Sequence, residues 1–304
     1  MRKIDYYILD VFAKNKYGGN QLAVFIDLED KIGDDLMLKM AKEINFAEST
    51  FIKKRIADNK YAVRIFTTES EIPFAGHPTL GTSFVITNYL TDKAHDKVIL
   101  DLMNDDIEVV LADKDQAVSS LYTMTQTQPR FLKEFDKVDI TEGLGIDHSF
   151  LDDLAIQEVS TGLPFIIIPI KSLDYMNKIK LDPDQFKSFL LEHQIYKSNY
   201  DLGLSSSLLF FTQETFEKEN DYNVRMFCLE DEILKEDSAT GSANGCLTAY
   251  LLKFLIPKFK AKVEQGFQME RKSYLSIEGS RIRDNYDIKV GGYIRLISKG
   301  EWYY

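Results

Sequence analysis

Apolar and polar positions along the chain switch between the periodicities of strands and of helices. Ile4 to Phe12, Val98 to Leu102 joined through Asn104-Asp105 to Ile107 to Leu111, and Ile282 to Ile297 have strand-like composition, with Lys289 to Ser298 as the last sheet segment. Leu36, Met40 and Ile44 recur at helical spacing, as do Phe186, Phe189, Leu190 and His193 after Asp182-Pro183-Asp184, which predicts two surface helices with one apolar face each. Pro78 to Leu90 and Ala243 to Ile256 differ, because small and apolar residues occupy nearly all sides with few charges. A helix that is apolar all round is a buried one. Each of these segments is therefore expected at the centre of a half-molecule, opening at Gly76-His77-Pro78 or Gly241-Ser242-Ala243. Proline suits a first helical turn.

The pattern also repeats. Val63-Arg64-Ile65-Phe66 leads to Phe74-Ala75-Gly76-His77, and Val224-Arg225-Met226-Phe227 leads to Ala239-Thr240-Gly241-Ser242. Upstream, Gly19-Asn20-Gln21-Leu22-Ala23-Val24-Phe25 echoes Gly162-Leu163-Pro164-Phe165-Ile166-Ile167-Ile168, and Glu48-Ser49-Thr50-Phe51-Ile52 echoes Ser206-Ser207-Leu208-Leu209-Phe210. Three landmarks in the same order predict one unit used twice. The expected fold class is α+β: two pseudo-symmetric domains, each a curled sheet wrapped around a central buried helix. The join is expected near Asp113 to Ser120, dividing residues 1–117 from 118–304, with the final strand near 289–304 free to cross back to the first half.

Composition narrows the function. With 37 basic and 48 acidic residues the formal charge is −11, which opposes nucleic acid or an anionic membrane as partner. No apolar run approaches the ~20 residues that span a bilayer, and no signal-type segment opens the chain, so a cytoplasmic protein is expected. Two cysteines, Cys228 and Cys246, offer at most one disulfide, fit a reducing compartment and read as core thiols. Phosphate-loop, nucleophile-elbow, Cys-x-x-Cys and His-Glu-x-x-His patterns are absent, and no histidine has metal-ligand spacing. The expectation is no metal and no cofactor.

Two buried helix starts flanked by glycine offer N–H groups to a small anion such as a carboxylate. The dipole at each end contributes only about 0.3–2 kcal/mol, so selectivity needs side chains. His77, Asp237, Thr240 and Ser242 stand beside those starts. Thr240 and Ser242 read equally well as plain helix caps, and Asp237 as a carboxylate facing the N–H groups of the second helix. Glu48, in Asn45-Phe46-Ala47-Glu48, reads either as a strand-end carboxylate or as a base whose proton affinity burial would raise.

Taken in order, the motifs resemble the PhzF-like phenazine-biosynthesis family, which shares its fold with diaminopimelate epimerase. The resemblance runs through Asp10-Val11-Phe12 with Gly19-Asn20, Asn45-Phe46-Ala47-Glu48, Arg64-Ile65-Phe66-Thr67 with Glu71, and Phe74-Ala75-Gly76-His77-Pro78-Thr79-Leu80-Gly81. It continues through Glu236-Asp237-Ser238-Ala239-Thr240-Gly241-Ser242-Ala243 and Gln265-Gly266 followed by Arg271. Two positions depart: Gln21 and Ser238 stand where the family usually has proline. The resemblance implies a homodimer, and an active site in the cleft between two domains. It also implies an isomerase, without cofactor or metal, that moves a proton on a small carboxylate-bearing substrate. In that pattern Glu48 shuttles the proton, His77 and Asp237 assist, and Asn20, Gly76, Thr240, Gly241 and Ser242 bind the substrate. Related epimerases and proline racemases use two thiols at the places held here by Ala75 and Thr240, which disfavours a two-cysteine mechanism. The alternatives are an epimerase or racemase of an amino-acid derivative, with Asp237 as second base, and a metabolite-binding protein without turnover.

Overall fold

The computed structural model describes residues 2–91, 93, 95–103, 105–112, 120–197, 205–230 and 232–304. The chain forms two compact units, Met1–Thr125 with Val290–Tyr304, and Gln126–Lys289. The join expected at Asp113 to Ser120, and with it the division between 117 and 118, falls on residues 113–119, which lie outside the described residues. No described helix is long and apolar enough to cross a membrane.

In the first unit, strand Lys3–Val11 pairs antiparallel with both Asn20–Ile26 and Ile294–Tyr303. Asn20–Ile26 runs parallel to Glu48–Ala57, which turns back into Lys60–Phe66. Lys60–Phe66 then pairs with the short strand Glu71–Ile72 on one side and runs parallel to Lys97–Asp101 on the other. Asp106–Leu111 and Tyr122–Thr125 continue the sheet. This sheet curls around the helix Gly76–Val85, every residue of which is buried. At Gly81 a methyl group would stand 2.4 Å from Leu22 and 3.0 Å from Val11, so only glycine lets helix and sheet approach this closely. Leu22 faces that helix, while Ala23 and Phe25 face the opposite way, onto Met37, Met40 and Ala41 of the amphipathic helix Asp34–Ile44. Burial on both faces is why the strand is apolar almost throughout.

The second unit repeats the plan. Ile156–Ser160 pairs antiparallel with Pro164–Pro169, which runs parallel to Ser207–Thr212, which turns back into Tyr222–Glu230. Tyr222–Glu230 pairs with Ile233–Asp237 on one side and runs parallel to Lys258–Gln265 on the other, and Ser273–Ile282 follows. The helix Gly241–Phe254 is buried from Gly241 through Leu252. Ile166, Ile168, Leu208 and Phe210 turn to an outer core shared with Phe186, Phe189 and Leu190 of the helix Pro183–Glu192.

Register makes the duplication specific. The pairs Leu22 with Glu48, Ser49 with Phe66, and Phe66 with Glu71 correspond to Phe165 with Ser207, Leu208 with Phe227, and Phe227 with Glu236. Glu48 therefore occupies the place of Ser207, not of Ser206 as the sequence echo suggests. Strand identity is set by hydrogen-bond register, and a one-residue slip reverses every side chain. By the same count Ile72 stands in the place of Asp237 and His77 in that of Ser242. Cys246 lies in the core as expected, whereas Cys228, near the end of its strand, is only half-buried.

Candidate active site

In the first unit, Glu48 is placed by two backbone events. The helix Asp34–Ile44 stops at Asn45, whose left-handed backbone, with φ 56°, returns its N–H to Ala41. The chain then enters its parallel pairing with Asn20–Ile26 at Glu48, opposite Leu22. His77 is the second residue of the central helix, and its Nε2 stands 3.4 Å from Glu48 Oε2, with the side chains 5% and 19% exposed. Burial drives the His77 pKa down to about 3, and a hydrogen bond to the Gln21 backbone opposes this only in part. The ring is thus neutral at ordinary pH. One nitrogen donates to the Gln21 carbonyl, which leaves the Nε2 lone pair towards Glu48. The Nε2 atom makes no hydrogen bond among the described residues, and a neutral imidazole leaves it able to accept one from a carboxyl that has taken up a proton. Gln21 contributes a backbone carbonyl, which proline also has; that departure from the family pattern leaves the contact intact.

Asn20 opens its strand, buried, opposite Val11. Gly76 opens the central helix, where neither Ala75 nor any acidic residue caps the first turn. Pro78 removes one N–H from that turn and leaves those of Gly76 and His77 outside the helical ladder.

In the second unit, Asp237 ends the strand Ile233–Asp237, opposite Met226. Its Oδ2 accepts from the Thr240 hydroxyl at 2.6 Å, and the backbone N–H groups of Ala239 and Ser238 also bond the carboxylate. Burial pushes the Asp237 pKa up to about 6, against those three donors. The expectation that Asp237 would face the helix N–H groups is corrected by this arrangement. Its donors lie in the turn before the helix, because the three intervening residues fold back on the carboxylate. The other departure from the family pattern has a consequence here: Ser238 supplies an N–H that a proline lacks.

Thr240 is the N-cap residue of the helix Gly241–Phe254, yet its side chain makes no capping bond. Its hydroxyl is committed to Asp237 instead, so Thr240 is not a plain helix cap. Gly241 and Ser242 form the first turn, both buried. The Gln265 amide, which sequence reasoning passed over, locks the turn: Nε2 donates to the Asp237 carbonyl at 2.9 Å and to Thr240 Oγ1 at 3.0 Å. Its Oε1 accepts from Thr240 N–H at 3.1 Å and from Asn244 Nδ2 at 3.0 Å. At Gly266, with φ +72°, a side chain would meet Ser238 O at 2.7 Å and Arg271 O at 2.4 Å. The adjacent Gln265-Gly266 pair was the only sequence signal of this support.

Cys246 sits 3.6 Å from Thr161 Oγ1 and 3.7 Å from the Leu163 carbonyl, and burial pushes its thiol up to about 12. A thiol held that far from ionisation is no proton shuttle at neutral pH. No cluster of three or more His, Cys, Asp and Glu side chains suited to a metal occurs among the described residues.

Known proteins resemble this chain over nearly its full length. An uncharacterised isomerase of Clostridium acetobutylicum is 29% identical, aligned over 99% of this chain and 98% of its own. A trans-2,3-dihydro-3-hydroxyanthranilate isomerase of Pseudomonas aeruginosa is 28% identical over 98% and 99%. Among solved structures, a PhzF-family phenazine biosynthesis protein of Bacillus anthracis superposes with TM-score 0.86 at 22% identity, covering 100% of both chains. A hydroxyproline epimerase of Agrobacterium vitis superposes with TM-score 0.61 at 10% identity, covering 99% of this chain and 92% of that one. The fold is accordingly the diaminopimelate-epimerase-like one, and the protein is an isomerase. The family profile described as phenazine biosynthesis-like protein matches residues 9–296, so the chain belongs to the PhzC-PhzF family.

Proposed function

We propose that the protein is a cofactor-independent isomerase that moves a proton between carbon positions of a small, carboxylate-bearing substrate, cyclic or amino-acid-like. The observation that carries this reading is the Glu48–His77 pair, a carboxyl beside a neutral imidazole at 3.4 Å. Glu48 takes the proton from carbon and returns it, while His77 holds the proton's place on the carboxyl between the two steps. Asp237, with a pKa near 6, assists as a second acid or base on the same substrate. Asn20, Gly76, Gly241 and Ser242 bind the substrate, the helix starts receiving its carboxylate, and Thr240 serves the site through its bond to Asp237. One acid–base pair supplies about 10²–10⁴ in rate, and positioning supplies the rest. A homodimer in the cytoplasm completes the proposal. The trans-2,3-dihydro-3-hydroxyanthranilate isomerase relative supports the substrate class.

Epimerisation is the second reading. It is favoured by the presence of two carboxyl groups, Glu48 and Asp237, at positions that are not equivalent in the two halves. A panel of small cyclic and amino-acid carboxylates incubated with the enzyme in D₂O separates the readings. Deuterium at a new carbon position is expected for isomerisation, and deuterium with inverted configuration at the same carbon for epimerisation. Exchange on a turned-over substrate that survives Glu48→Gln unchanged would overturn the role of Glu48.

A further inference from the structure

We propose that Gln265 is a positioning residue that aims the single hydroxyl proton of Thr240 at Asp237 and so sets the acid strength of that carboxyl. The inference deepens the functional reading above and rests on it for catalysis, though not for its geometry.

The orientation of the Gln265 amide is fixed by backbone chemistry. The Asp237 carbonyl can only accept and the Thr240 N–H can only donate, so Nε2 faces the first at 2.9 Å and Oε1 the second at 3.1 Å. Asn244 reinforces this, because its Nδ2 donates to both Gln265 Oε1 and the Thr240 carbonyl. Gln265 and Asn244 are both fully buried, so water does not replace these bonds. With Nε2 oriented in this way, its second hydrogen falls on Thr240 Oγ1 at 3.0 Å. A hydroxyl has one proton to give. With Gln265 donating to one of its two lone pairs, the hydroxyl turns its proton away from the amide and onto Asp237 Oδ2, at 2.6 Å. A bond of this kind stabilises the ionised carboxylate and works against the burial that raises its pKa.

Other charges around Asp237 are accounted for. Glu230, on the neighbouring strand, raises its pKa by repulsion. Arg225 and the adjacent Glu236 are bound to each other through two bonds of 2.8 Å. Glu264, next to Gln265, is occupied by the Phe216 and Glu217 N–H groups and the Asn220 and Asn223 amides. Arg271 closes the following turn through its backbone. Neither Glu230 nor the committed groups of Arg225, Glu236 and Glu264 duplicate the contribution of Thr240.

The test is the titration of Asp237, followed by carbon NMR of aspartate-labelled protein, in Gln265→Met, Gln265→Glu, Thr240→Val and the double variant Thr240→Val/Gln265→Met. Gln265→Met removes donor and acceptor at similar volume, and Gln265→Glu keeps the shape but loses the donor and adds a charge that raises the Asp237 pKa further. Folded Gln265→Met should raise the Asp237 pKa by about one unit, the worth of one hydrogen bond to a charged group, and folded Gln265→Glu by more. The double variant should titrate with Thr240→Val alone, because Gln265 acts through that hydroxyl. An unchanged pKa in a folded Gln265 variant, or additive shifts in the double variant, would overturn the proposal. Should Gln265→Met not fold, Gln265→Leu, which likewise removes donor and acceptor without adding charge, decides in its place. Full turnover in Asp237→Asn would instead defeat the catalytic reading and leave the titration result standing.

Discussion

In the first half Arg64 grips Glu71 through Nε and Nη2 at 2.7 and 2.5 Å, five residues before the glycine that opens the central helix. In the second half Arg225 grips Glu236 through the same two nitrogens, both at 2.8 Å, at the same spacing. The remaining nitrogen of each guanidinium reaches outwards, Arg64 to Asp34 at the start of an outer helix, Arg225 to the Met176 and Ile179 carbonyls at the end of one. This scaffold is duplicated down to its clamp, and its chemistry is not. Where the first half has Glu48 and His77, the second has Ser207 and Ser242; where the second has Asp237, the first has Ile72. Duplication supplies two equivalent helix starts. Substitution at four places, Ala75 standing where the second half has Thr240, then makes one half a carboxyl–imidazole pair and the other a carboxyl held by a hydroxyl and two N–H groups.

The sharpest way to break that comparison is to exchange the roles of Glu48 and Ser207. Glu48→Gln should keep the fold and lower turnover by roughly 10²–10⁴, whereas Ser207→Ala, at the equivalent place, should leave turnover within about twofold. Steady-state kinetics on a substrate found by deuterium exchange measures both. A comparable loss in the two variants would mean that position, not chemistry, is what matters there.

The clamps should differ next. Arg225 and Glu236 have side chains 10% and 17% exposed, against 28% and 20% for Arg64 and Glu71. Arg225→Met leaves a carboxylate and two carbonyls without their donor and should cost about 3–5 kcal/mol. Arg64→Met, whose partners keep more water, should cost nearer ~1 kcal/mol. Urea unfolding measures each, and equal costs would show that exposure does not govern the two clamps.

Opposite pH dependences form the third distinction. His77, at about 3 against an ordinary 6.5, binds fewer protons folded than unfolded between those values. Its contribution to stability is present above about 6.5 and is lost as pH falls through about 3. Asp237, at about 6 against 3.8, binds more protons folded than unfolded in that window. Its contribution is full below 3.8 and is lost as pH rises through about 6. Urea midpoints from pH 3 to 7 should therefore lose part of their acid-side fall in His77→Gln and should rise more steeply towards neutrality in Asp237→Asn. Changes of the same sign in both variants would refute the assignment.

The smallest effect is expected at Cys246. With its thiol pushed up to about 12, Cys246→Ala should alter turnover by less than about twofold. A large loss would revive a thiol mechanism in the second half alone.

Much of this was legible in the chain because it depends on local pattern. The unbroken apolar run Leu22 to Phe25, the all-round apolar character of Pro78 to Leu90, and proline in the first turn of the helices that open at Gly76 and after Asp182 are consequences of burial and backbone geometry that any fold must obey. Glu48, His77 and Asp237 could be singled out because polar groups beside glycine-opened buried helices are costly unless used. Which partners they take was not legible. Asp237 and Gln265 are far apart in sequence, and only the parallel pairing of Tyr222–Glu230 with Lys258–Gln265 brings the amide beneath the turn that holds Asp237. The one-residue correction from Ser206 to Ser207 has the same origin: similarity along the chain tolerates a slip, and hydrogen-bond register does not. Local sequence determined which segments are strands, which helices are buried and which residue types are available for chemistry. Tertiary structure decided the protonation of His77 and Asp237, since desolvation and donor placement depend on everything packed around a group and are encoded in no single stretch of residues.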